Sequence, residues 1–572
     1  MYVETVPNRN SPPAVLLRQG RRQGRRVIKE TLANLSHWPP AKVAALRAVL
    51  RGEPLVSPQD CFEIERSLPH GHVQAVLGVM RKLGLETLLS GKRCRERDVV
   101  AAMVVERVLE PCSKLATTRL WATTTLGEQL SVADTDVEEL YGALDWLLAR
   151  QGKIERALAR RHLGEGAVVL YDVSSSYYEG RTCPLARFGH DRDGAGDRPI
   201  IVYGVLTDGR GCPVAVEVYA GNTSDSTTVP DQVDKLRQRF ELEGVVLVGD
   251  RGMLTQTQIE TLRQYPGLGW VSALRSEQIR ALVESGPLQL SLFDQQNLAE
   301  IVAPDPFPGE RLVACYNPLL ADDRRRTRQE LLAATEEGLE KIRREAARRT
   351  RKVLSAKDIA LKVGRLLPHY KMAKHFTVTI GEGTLSWSRK DDSIRAEEAL
   401  DGIYVIRTSE PAERLSAPDT VRTYKTLADV ERLFRTLKGI DLRIRPIFHR
   451  TDPRVRAHIF LCLLAYYVEW HMRQALAPLL FDDETLSEER RRRDPVAPAK
   501  PTPSARRKKT ARQTPDGLPL HSFHTLLKDL ATLCRNHCRM KNDPDGPGFT
   551  QTTRATALQR RAFELLGVKC SQ

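Results

Sequence analysis

The sequence lacks several features, and each absence excludes a class of protein. The longest uninterrupted apolar run, Ile459 to Val468, is ten residues long, whereas a transmembrane helix needs about 18 to 20. The N-terminus does not show the basic, apolar and small-residue order of a secretory signal. The ten cysteines include no CxxC pair, which favours a reducing compartment. We therefore expect a cytoplasmic protein with no membrane partner.

Positive charge is abundant. The chain of 572 residues is too long for one compact domain, and its 41% hydrophobic residues are enough to build buried cores. Lys and Arg exceed Asp and Glu by 88 to 72, a net charge of +16. A basic surface of this size favours a polyanionic partner, although charge alone does not separate DNA from RNA or an anionic membrane.

The N-terminal region is predicted to hold a basic hairpin followed by helices. Two short β-like runs, 14–17 and 26–29, flank a glycine-containing turn that is rich in arginine. They predict a basic β-hairpin module within 1–40 that contacts nucleic acid through Arg21, Arg22, Arg25 and Arg26. Residues 41–165 show helical periodicity. They are equally consistent with an end-binding region and with a helical bundle that packs on the next domain.

The rest of the chain alternates between strand-rich and helical segments, which predicts a mixed α/β sheet. A long charged helix is expected from Asp323 to Lys352, with apolar positions on only a narrow stripe. The remaining boundaries are these: an α/β core at 166–275, a less regular segment at 276–400, a return of the core at 401–475, a basic disordered linker at 483–515 and a helical tail at 516–572.

Two of the apolar runs are followed by an aspartate. Asp172 follows Val168-Val-Leu-Tyr, and Asp250 follows Val245-Val-Leu-Val-Gly. Continuous hydrophobicity is typical of central strands covered on both faces, and α/β sheets bind ligands beyond the carboxyl ends of such strands. A single aspartate in this position is more often a turn or cap residue. The pair predicts two carboxylates at one edge of the sheet.

A third carboxylate lies on a predicted helix from about 419 to 438. Tyr424, Glu431 and Lys438 recur at i, i+7 and i+14, beside an apolar face. That face consists of Leu427, Val430, Phe434 and Leu437. The helix thus presents a phenol, a carboxylate and an ammonium along one line. Taken alone, Glu431 could equally be a surface residue beside an amphipathic stripe.

Several separated motifs together resemble the DDE transposases of bacterial insertion sequences, in the branch with a large insertion before the catalytic glutamate. The resemblance extends from about 166 to 475. The matching stretches, in order, are YDVSSSYYEG at 171–180, GVLTDGRGCPVAVEVYAGNTSD at 204–225, VVLVGDRGM at 245–253, DGIYVIRTS at 401–409, YKTLADVERLFRTLKGIDLRIRPIFHR at 424–450 and RVRAHIFLCLLAYYV at 454–468.

The resemblance implies that Asp172, Asp250 and Glu431 are the catalytic, metal-ligating triad. They are 78 and 181 residues apart, and the second spacing fits an insertion. The helix signature of this branch is Y-x2-R-x3-E-x6-K. Its tyrosine, glutamate and lysine are present as Tyr424, Glu431 and Lys438.

The arginine position of that signature holds Leu427. This departure removes one expected phosphate contact near the cut DNA end. Arg435, one turn after the glutamate and close to the same line of the helix, could supply a guanidinium instead.

The resemblance also implies a ribonuclease-H-like α/β core, interrupted by an insertion at 276–400. It implies two Mg²⁺ ions, with Mn²⁺ as a substitute, because hard divalent ions prefer oxygen ligands. The partners would be double-stranded DNA, both terminal inverted repeats and target, bound by a homodimer associated with the nucleoid. Within the insertion, Trp387 would either hold a flipped base or pack the insertion's own small sheet.

Two other functions remain open. A structure-specific nuclease on the same fold would keep the metal-binding triad but would lack strand transfer. A DNA-binding protein with decayed catalysis would not need the triad, so the intact Asp, Asp and Glu argue against it. Cleavage of a terminal-repeat duplex separates binding from catalysis, and joining of the product to a plasmid separates a transposase from a nuclease.

Overall fold

The computed structural model describes residues 1–9, 11–53, 61–194, 196–293, 296–302, 305–349, 353–497, 500–541 and 545–570. The strands, in chain order, are β1 Tyr2–Val6, β2 Ala14–Gln23, β3 Arg26–Asn34, β4 Phe62–Pro69, β5 Ala167–Tyr177, β6 Ile200–Asp208, β7 Pro213–Ala220, β8 Val245–Val248, β9 Leu268–Ala273, β10 Leu298–Ile301, β11 Arg311–Tyr316, β12 Phe376–Gly381, β13 Thr384–Arg389, β14 Ile403–Thr408, β15 Cys534–Met540 and β16 Phe549–Thr552.

Helices occur between these strands along the chain. In chain order they are α1 Pro40–Leu50, α2 Gly71–Lys82, α3 Leu85–Leu89, α4 Arg95–Leu109, α5 Lys114–Leu120, α6 Leu126–Leu130, α7 Val137–Leu148, α8 Gln151–His162, α9 Val229–Asp234, α10 Gln256–Leu262, α11 Ser276–Glu284, α12 Pro318–Arg348, α13 Ala356–Tyr370, α14 Asp391–Glu398, α15 Ala417–Lys425, α16 Leu427–Lys438, α17 Asp452–Leu476, α18 Leu486–Arg492, α19 Pro503–Ala511, α20 Phe523–Ala531 and α21 Ala557–Leu566. Within the described residues, no helix has both the length and the apolar composition needed to cross a membrane.

The chain divides into two compact units. The smaller unit contains Met1–Pro69 and Leu533–Arg554, and the larger contains His70–Thr532 and residues 555–570. In the smaller unit, β1, β2 and β3 form an antiparallel sheet, and β16, β15 and β4 form a second one. The arginine-rich turn lies between β2 and β3, where Gln23 pairs with Arg26. The predicted hairpin thus gains a third strand, β1.

The C-terminal tail differs from the helical prediction for 516–572. The helices α20 and α21 are present, but β15 and β16 lie between them. β15 pairs with β4, which is more than four hundred residues earlier in the chain. Pairing between such distant segments leaves no local pattern in the sequence, because the stabilising contacts come from the partner strand.

The larger unit is built on one eight-stranded mixed sheet with the order β10-β11-β14-β9-β8-β5-β6-β7. The strands β5, β6 and β7 are successive antiparallel neighbours. The strands β8 and β9 run parallel to β5 on its other side. The prediction of a mixed α/β fold is therefore confirmed.

The helix α17 lies in the core of the larger unit. Its apolar run, Ile459 to Val468, is buried on every side, as expected for a helix that is hydrophobic all round. It packs against α4 and α7 of the N-terminal helical region, against β7 of the sheet, and against α16. The helices of the predicted 41–165 region from α2 onward therefore share a core with the sheet.

The segment at 276–400 contributes to two structures. The strands β10 and β11 extend the main sheet beside β14. The helices α12 and α13 enclose a separate apolar cluster with β12 and β13. The helix α12 buries Leu332, Leu339 and Ala346, so the charged helix predicted from Asp323 to Lys352 is packed along part of its length. Residues 350–352 of that prediction lie outside the described chain.

The basic segment at 483–515 also differs from its prediction of disorder. It contains α18 and α19, and Val496 between them is fully buried. Lys508 is buried as well, and its ammonium donates to the carbonyls of Ala477 at 2.7 Å and Asp482 at 2.9 Å. Composition suggested disorder because the segment has few large apolar residues, but anchoring by a few buried polar groups orders its described part.

A buried ion pair connects β14 to the loop before β11. Its contribution to the free energy of unfolding can be measured. Arg407 donates to Glu310 at 2.6 and 2.5 Å and to Gln256 at 2.9 Å, with both charged side chains buried. Arg407→Ala should lower the free energy of unfolding by about 1.5 to 3 kcal/mol, because it removes charge-assisted hydrogen bonds from buried Glu310, which keeps one cationic partner, Arg263, at 2.8 Å. Urea denaturation followed by circular dichroism measures this loss.

The matched control for that variant is an exposed arginine. Arg395 pairs with Asp392 at 3.1 Å on the surface of α14. Arg395→Ala should change the free energy of unfolding by less than about 1 kcal/mol. Equal effects of the two substitutions would show that the buried pair contributes no more than a surface pair.

Candidate active site

A cavity of about 510 Å³ opens at one edge of the main sheet in the larger unit. Carboxylates and basic side chains line most of it, with few apolar groups. Its lining residues are Asp172, Val173, Ser174, Arg192, Asp193, Asp225, Asp250, Glu431, Phe434, Arg435, Lys438, Gly439 and Arg445. The structure thus brings the three sequence-predicted carboxylates to one cavity.

Two of the carboxylates are aligned by strand register. β5 and β8 are parallel, and Leu170 is the partner of Val248 in the last pair. Asp172 and Asp250 each follow that pair by two residues. The carboxyl ends of adjacent parallel strands lie at the same edge of a sheet. The register therefore places both aspartates at the same level beside the cavity.

Asp172 lies within β5 after a fully buried stretch of the strand, and it is itself half-buried. Its Oδ1 accepts a hydrogen bond from the Val173 N–H at 2.7 Å. The pKa of Asp172 is raised to about 7, chiefly by burial and also by the charges of Asp250 and Glu431, while the hydrogen bond from Val173 and the charge of Arg192 lower it. The carboxyl group is therefore partly protonated near neutral pH.

Asp250 is exposed and is fixed by the loop after β8. Its Oδ1 accepts from the N–H groups of Gly252 at 3.0 Å and Met253 at 2.8 Å. Ser272 donates to the Asp250 backbone carbonyl at 3.1 Å. These bonds orient the side chain without neutralising its charge. The second oxygen of the carboxylate, Oδ2, accepts none of them.

Glu431 is exposed on α16, whose apolar face packs on β5. Phe434, one turn later, meets Tyr203 of β6 edge to face, with ring centroids 5.9 Å apart. The predicted single helix from 419 to 438 is divided at Thr426, so Tyr424 lies on α15 and Glu431 on α16. Both helical segments are fixed by buried residues, as the amphipathic pattern predicts.

Tyr424 lies in the electrostatic field of the triad although it does not line the cavity. Burial raises its pKa to about 12, and the charges of Asp250, Asp172 and Glu431 raise it as well, while Arg251 opposes them. The phenol therefore stays protonated and can donate a hydrogen bond. Leu427, in the signature's arginine position, is the first residue of α16.

Basic side chains line the opposite part of the cavity. Lys438 donates to Asp193 at 2.9 Å, and Arg445 donates to the same carboxylate at 2.5 Å. Arg192 pairs with Asp225. Burial lowers the pKa of Lys438, and the hydrogen bond that Lys438 donates to Asp193 counteracts that effect.

Sequence reasoning missed Arg192, Asp193, Asp225 and Arg445. The run His190-Asp-Arg-Asp193 between two strands was the available signal, since charged residues so closely spaced before a buried strand favour a functional loop. Arg435, which was predicted as a substitute for the missing arginine, does line the cavity.

Two other predicted groups lie elsewhere. The side chain of Trp387 is half-buried on β13, opposite Val378, and packs into the apolar cluster of α12 and α13. The Arg343 guanidinium lies 5.8 Å from its ring centroid, and Arg389 pairs with Glu336 at 2.6 Å. These contacts agree with the packing alternative. The arginines of the hairpin, Arg21, Arg22, Arg25 and Arg26, are all exposed in the smaller unit.

The triad suits a hard divalent cation by its chemistry. It offers only carboxylate oxygens, which Mg²⁺ and Mn²⁺ prefer. The pKa of Asp172 is raised chiefly by burial and further by the charges of Asp250 and Glu431, and a nearby cation would favour its ionised form. Among the described residues, the tightest cluster of metal-ligating side chains is instead His162, Cys212 and His471, whose ligand atoms all lie within 4.8 Å of one another.

Comparison with known proteins identifies a family and several structurally similar chains. No curated protein matches the sequence. A solved structure with a similar chain is described as "Cryo-EM structure of piggyBac transposase synaptic complex with hairpin DNA", with 11% identity over 71% of this chain and 75% of that chain. Its TM-score of 0.34 is too low to support an argument about function.

The family comparison is more extensive. The profile described as "Transposase DDE domain" matches residues 180–468, just over half of the chain. The match includes Asp250, Glu431 and most of the cavity lining. The chain therefore belongs to the family of DDE transposases, enzymes that cleave DNA and transfer its strands with the help of divalent metal ions.

Proposed function

We propose that this protein is the transposase of a bacterial insertion sequence. It would bind the terminal inverted repeats of its element, cleave at the ends and join the 3′ ends to target DNA. The observation that carries this proposal is the convergence of Asp172, Asp250 and Glu431 on one cavity within a family of DNA-cleaving enzymes. Inverted repeats on both sides of the reading frame would define the DNA substrate for each experiment below.

We propose that β5 to β9 form a ribonuclease-H-like core. Support comes from the strand order β7-β6-β5-β8-β9, in which three successive antiparallel strands are followed by two parallel ones. In this interpretation the chain between β9 and β14 is the insertion, and α16 carries the last catalytic residue. The strands β10 and β11 then belong to the insertion even though they extend the sheet.

The triad would act through metal ions, and Mg²⁺ is the proposed cofactor, with Mn²⁺ as its substitute. Two such ions, when bound, would activate the attacking oxygen and stabilise the leaving oxygen during phosphoryl transfer. Asp172, Asp250 and Glu431 would hold them. Asp172 must lose its proton for this, and its raised pKa makes the release coincide with cation binding.

The basic side of the cavity would position the DNA backbone. Lys438 and Arg435 are on the same helix as Glu431, one to two turns away, and both line the cavity. Guanidinium and ammonium groups are the side chains that bind phosphate oxygens. Arg435 would therefore supply the phosphate contact that Leu427 cannot make, and Tyr424 would donate a hydrogen bond beside the triad.

DNA binding outside the cavity is proposed for the basic hairpin and the helical region. The net charge of +16 supports a polyanionic partner, and the exposed arginines of the hairpin make it suitable for phosphate contacts. Two element ends must be processed together, which supports a homodimer on DNA. The proposal that Trp387 holds a flipped base stays a prediction, and its packing contacts are the alternative.

The proposed roles of Asp172, Asp250 and Glu431 predict that cleavage requires each of these carboxylates. Asp172→Asn, Asp250→Asn and Glu431→Gln should each reduce cleavage of a terminal-repeat duplex by more than about 1,000-fold, because each removes a metal-ligating charge at nearly constant volume. Binding of the duplex should change little. Cleavage is measured on gels with Mg²⁺, binding by electrophoretic mobility, and strand transfer by joining to a plasmid.

The control for these variants is a carboxylate on the same helix. Asp429 pairs with Arg490 at 2.8 Å and does not line the cavity. Asp429→Asn should therefore retain cleavage within a few-fold of wild type. Full cleavage by a triad variant would remove that residue from the active site. Cleavage without joining would favour the nuclease, and binding without cleavage by the wild type would favour a decayed transposase.

The raised pKa of Asp172 predicts a trade-off between stability and activity. Its pKa in the folded protein is about 7, above the ordinary 3.8. The folded protein therefore binds this proton more tightly than the unfolded chain does, and the free energy of unfolding decreases as pH rises from about 3.8 to about 7. In metal-free protein, Asp172→Asn should therefore raise the apparent Tm at pH 8 by about 1 to 3 °C. The difference should shrink toward pH 5.

The measurement is differential scanning fluorimetry in EDTA across that pH range. Mg²⁺ should stabilise wild type at pH 8 and not the variant, since the variant lacks the ligating charge. A variant less stable than wild type at pH 8, or a gap that grows as pH falls, would contradict a repulsive triad.

The basic hairpin predicts a change in the salt dependence of DNA binding. Neutralising Arg21, Arg22, Arg25 and Arg26 should weaken binding and flatten the log–log salt slope by about 0.9 per lost phosphate contact. Fluorescence anisotropy over a salt series measures the slope. The control is Lys29→Gln on β3, because Lys29 is already paired with Glu4 at 3.0 Å. An unchanged slope for the arginine variant would show that the hairpin does not touch phosphates.

A further inference from the structure

A second cluster of ligand-type side chains lies in the larger unit, apart from the carboxylate cavity. Cys212 Sγ lies 3.9 Å from His162 Nε2 and 3.9 Å from His471 Nε2, and the three ligand atoms are all within 4.8 Å of one another. His162 is the last residue of α8, Cys212 precedes β7, and His471 lies in α17. None of the three lines the carboxylate cavity.

The cluster lies largely below the surface and is packed by aromatic side chains. Cys212 is fully buried and both histidines are half-buried. Tyr467 packs edge-on against both imidazole rings, with centroids 5.5 Å from His162 and 4.7 Å from His471. Trp470 packs against the second ring at 4.9 Å. The surrounding rings therefore fix the orientation of the nitrogen donors before any ligand arrives.

We propose that Cys212, His162 and His471 bind a zinc ion. One thiolate and two imidazoles are a donor set suited to Zn²⁺, and soft sulfur disfavours Mg²⁺. In a tetrahedral zinc site, a sulfur ligand and a nitrogen ligand lie about 3.6 Å apart. The two sulfur–nitrogen distances of 3.9 Å in the structure are close to this value. The Tyr467 hydroxyl lies 3.0 Å from His162 Nε2 in the metal-free structure, so it would give up this contact when the nitrogen binds the ion, and water would be the fourth ligand.

Charge near the cluster is consistent with a bound dication. The Asp208 carboxylate lies 4.0 Å from His162 Nδ1, on the side of the ring away from the sulfur, where carboxylates commonly orient metal-bound histidines. Two arginines are also near, but each is engaged. Arg210 pairs with Asp208 at 2.8 Å, and Arg161 donates to the Leu83 carbonyl at 2.7 Å and to the Tyr467 hydroxyl at 3.1 Å.

The ion would be structural. It would join three segments separated by 50 and 259 residues along the chain: the end of the N-terminal helical region, the β6–β7 connection and α17. A zinc ion that binds only the folded state raises the free energy of unfolding. The increase grows with the logarithm of the ratio of free zinc concentration to the dissociation constant. No part of the proposed DNA chemistry depends on it, so either proposal can fail without the other.

The test uses tag-free, full-length protein freed of metal with EDTA and titrated with Co²⁺ and then Zn²⁺. Wild type should develop a cobalt–thiolate charge-transfer band that one equivalent of Zn²⁺ abolishes, and Zn²⁺ should raise the apparent Tm. Excess Mg²⁺ should leave the band unchanged. Cys212→Ser should remove the band, and His471→Gln should weaken cobalt binding by more than about tenfold, as expected for a lost ligand.

The chain offers a matched control thiol. Cys462 Sγ lies 3.9 Å from His458 Nε2 and is also buried, but within the described part of the chain Cys462 belongs to no three-residue cluster of metal-ligating side chains. Cys462→Ser should keep the band. Absence of a thiolate band in folded wild type, or its survival in Cys212→Ser, would overturn the proposal. Circular dichroism of each metal-free variant verifies that it is folded.

Discussion

The site depends on the parallel pairing of β5 with β8. Because Leu170 and Val248 are partners, the two aspartates that follow them by equal steps are forced to the same level of one sheet edge. A shift of register by a single residue would turn one of the two side chains to the other face. The buried apolar residues on both strands prevent that shift, so the placement of the two aspartates is a consequence of core packing.

Assembly of the triad is electrostatically unfavourable by itself. Burial is the main cause of the raised pKa of Asp172, and the charges of Asp250 and Glu431 add to it. Arg192 opposes the shift only in part, and it is paired with Asp225. Lys438 and Arg445 are paired with Asp193, so the positive charge at the cavity wall is largely matched by other carboxylates.

Much of the core could be predicted from the sequence because its signals are local. Each of these signals appears within a dozen residues: the apolar runs of β5 and β8 and the amphipathic pattern of α16. The family motifs then assign the three segments to one site. Features fixed by distant contacts could not be predicted. The strand β15 pairs with β4 across nearly the whole chain, and Lys508 is anchored by carbonyls of a neighbouring segment. Cys212 and its two histidines are isolated in sequence and meet only in the fold.

The buried helix α17 supports the position of α16, which carries Glu431. Its apolar run is too short to span a membrane, yet it is apolar all round, and the structure buries it between the helical region and the sheet. The helix α16 lies between α17 and β5, so the position of Glu431 relative to the aspartates is set by apolar contacts on both sides of its helix. Dispersion and hydrophobic burial act at every pH and ionic strength, whereas the repulsion within the triad varies with both. Apolar packing around α16 and α17 thus holds three like charges at one cavity despite their mutual repulsion.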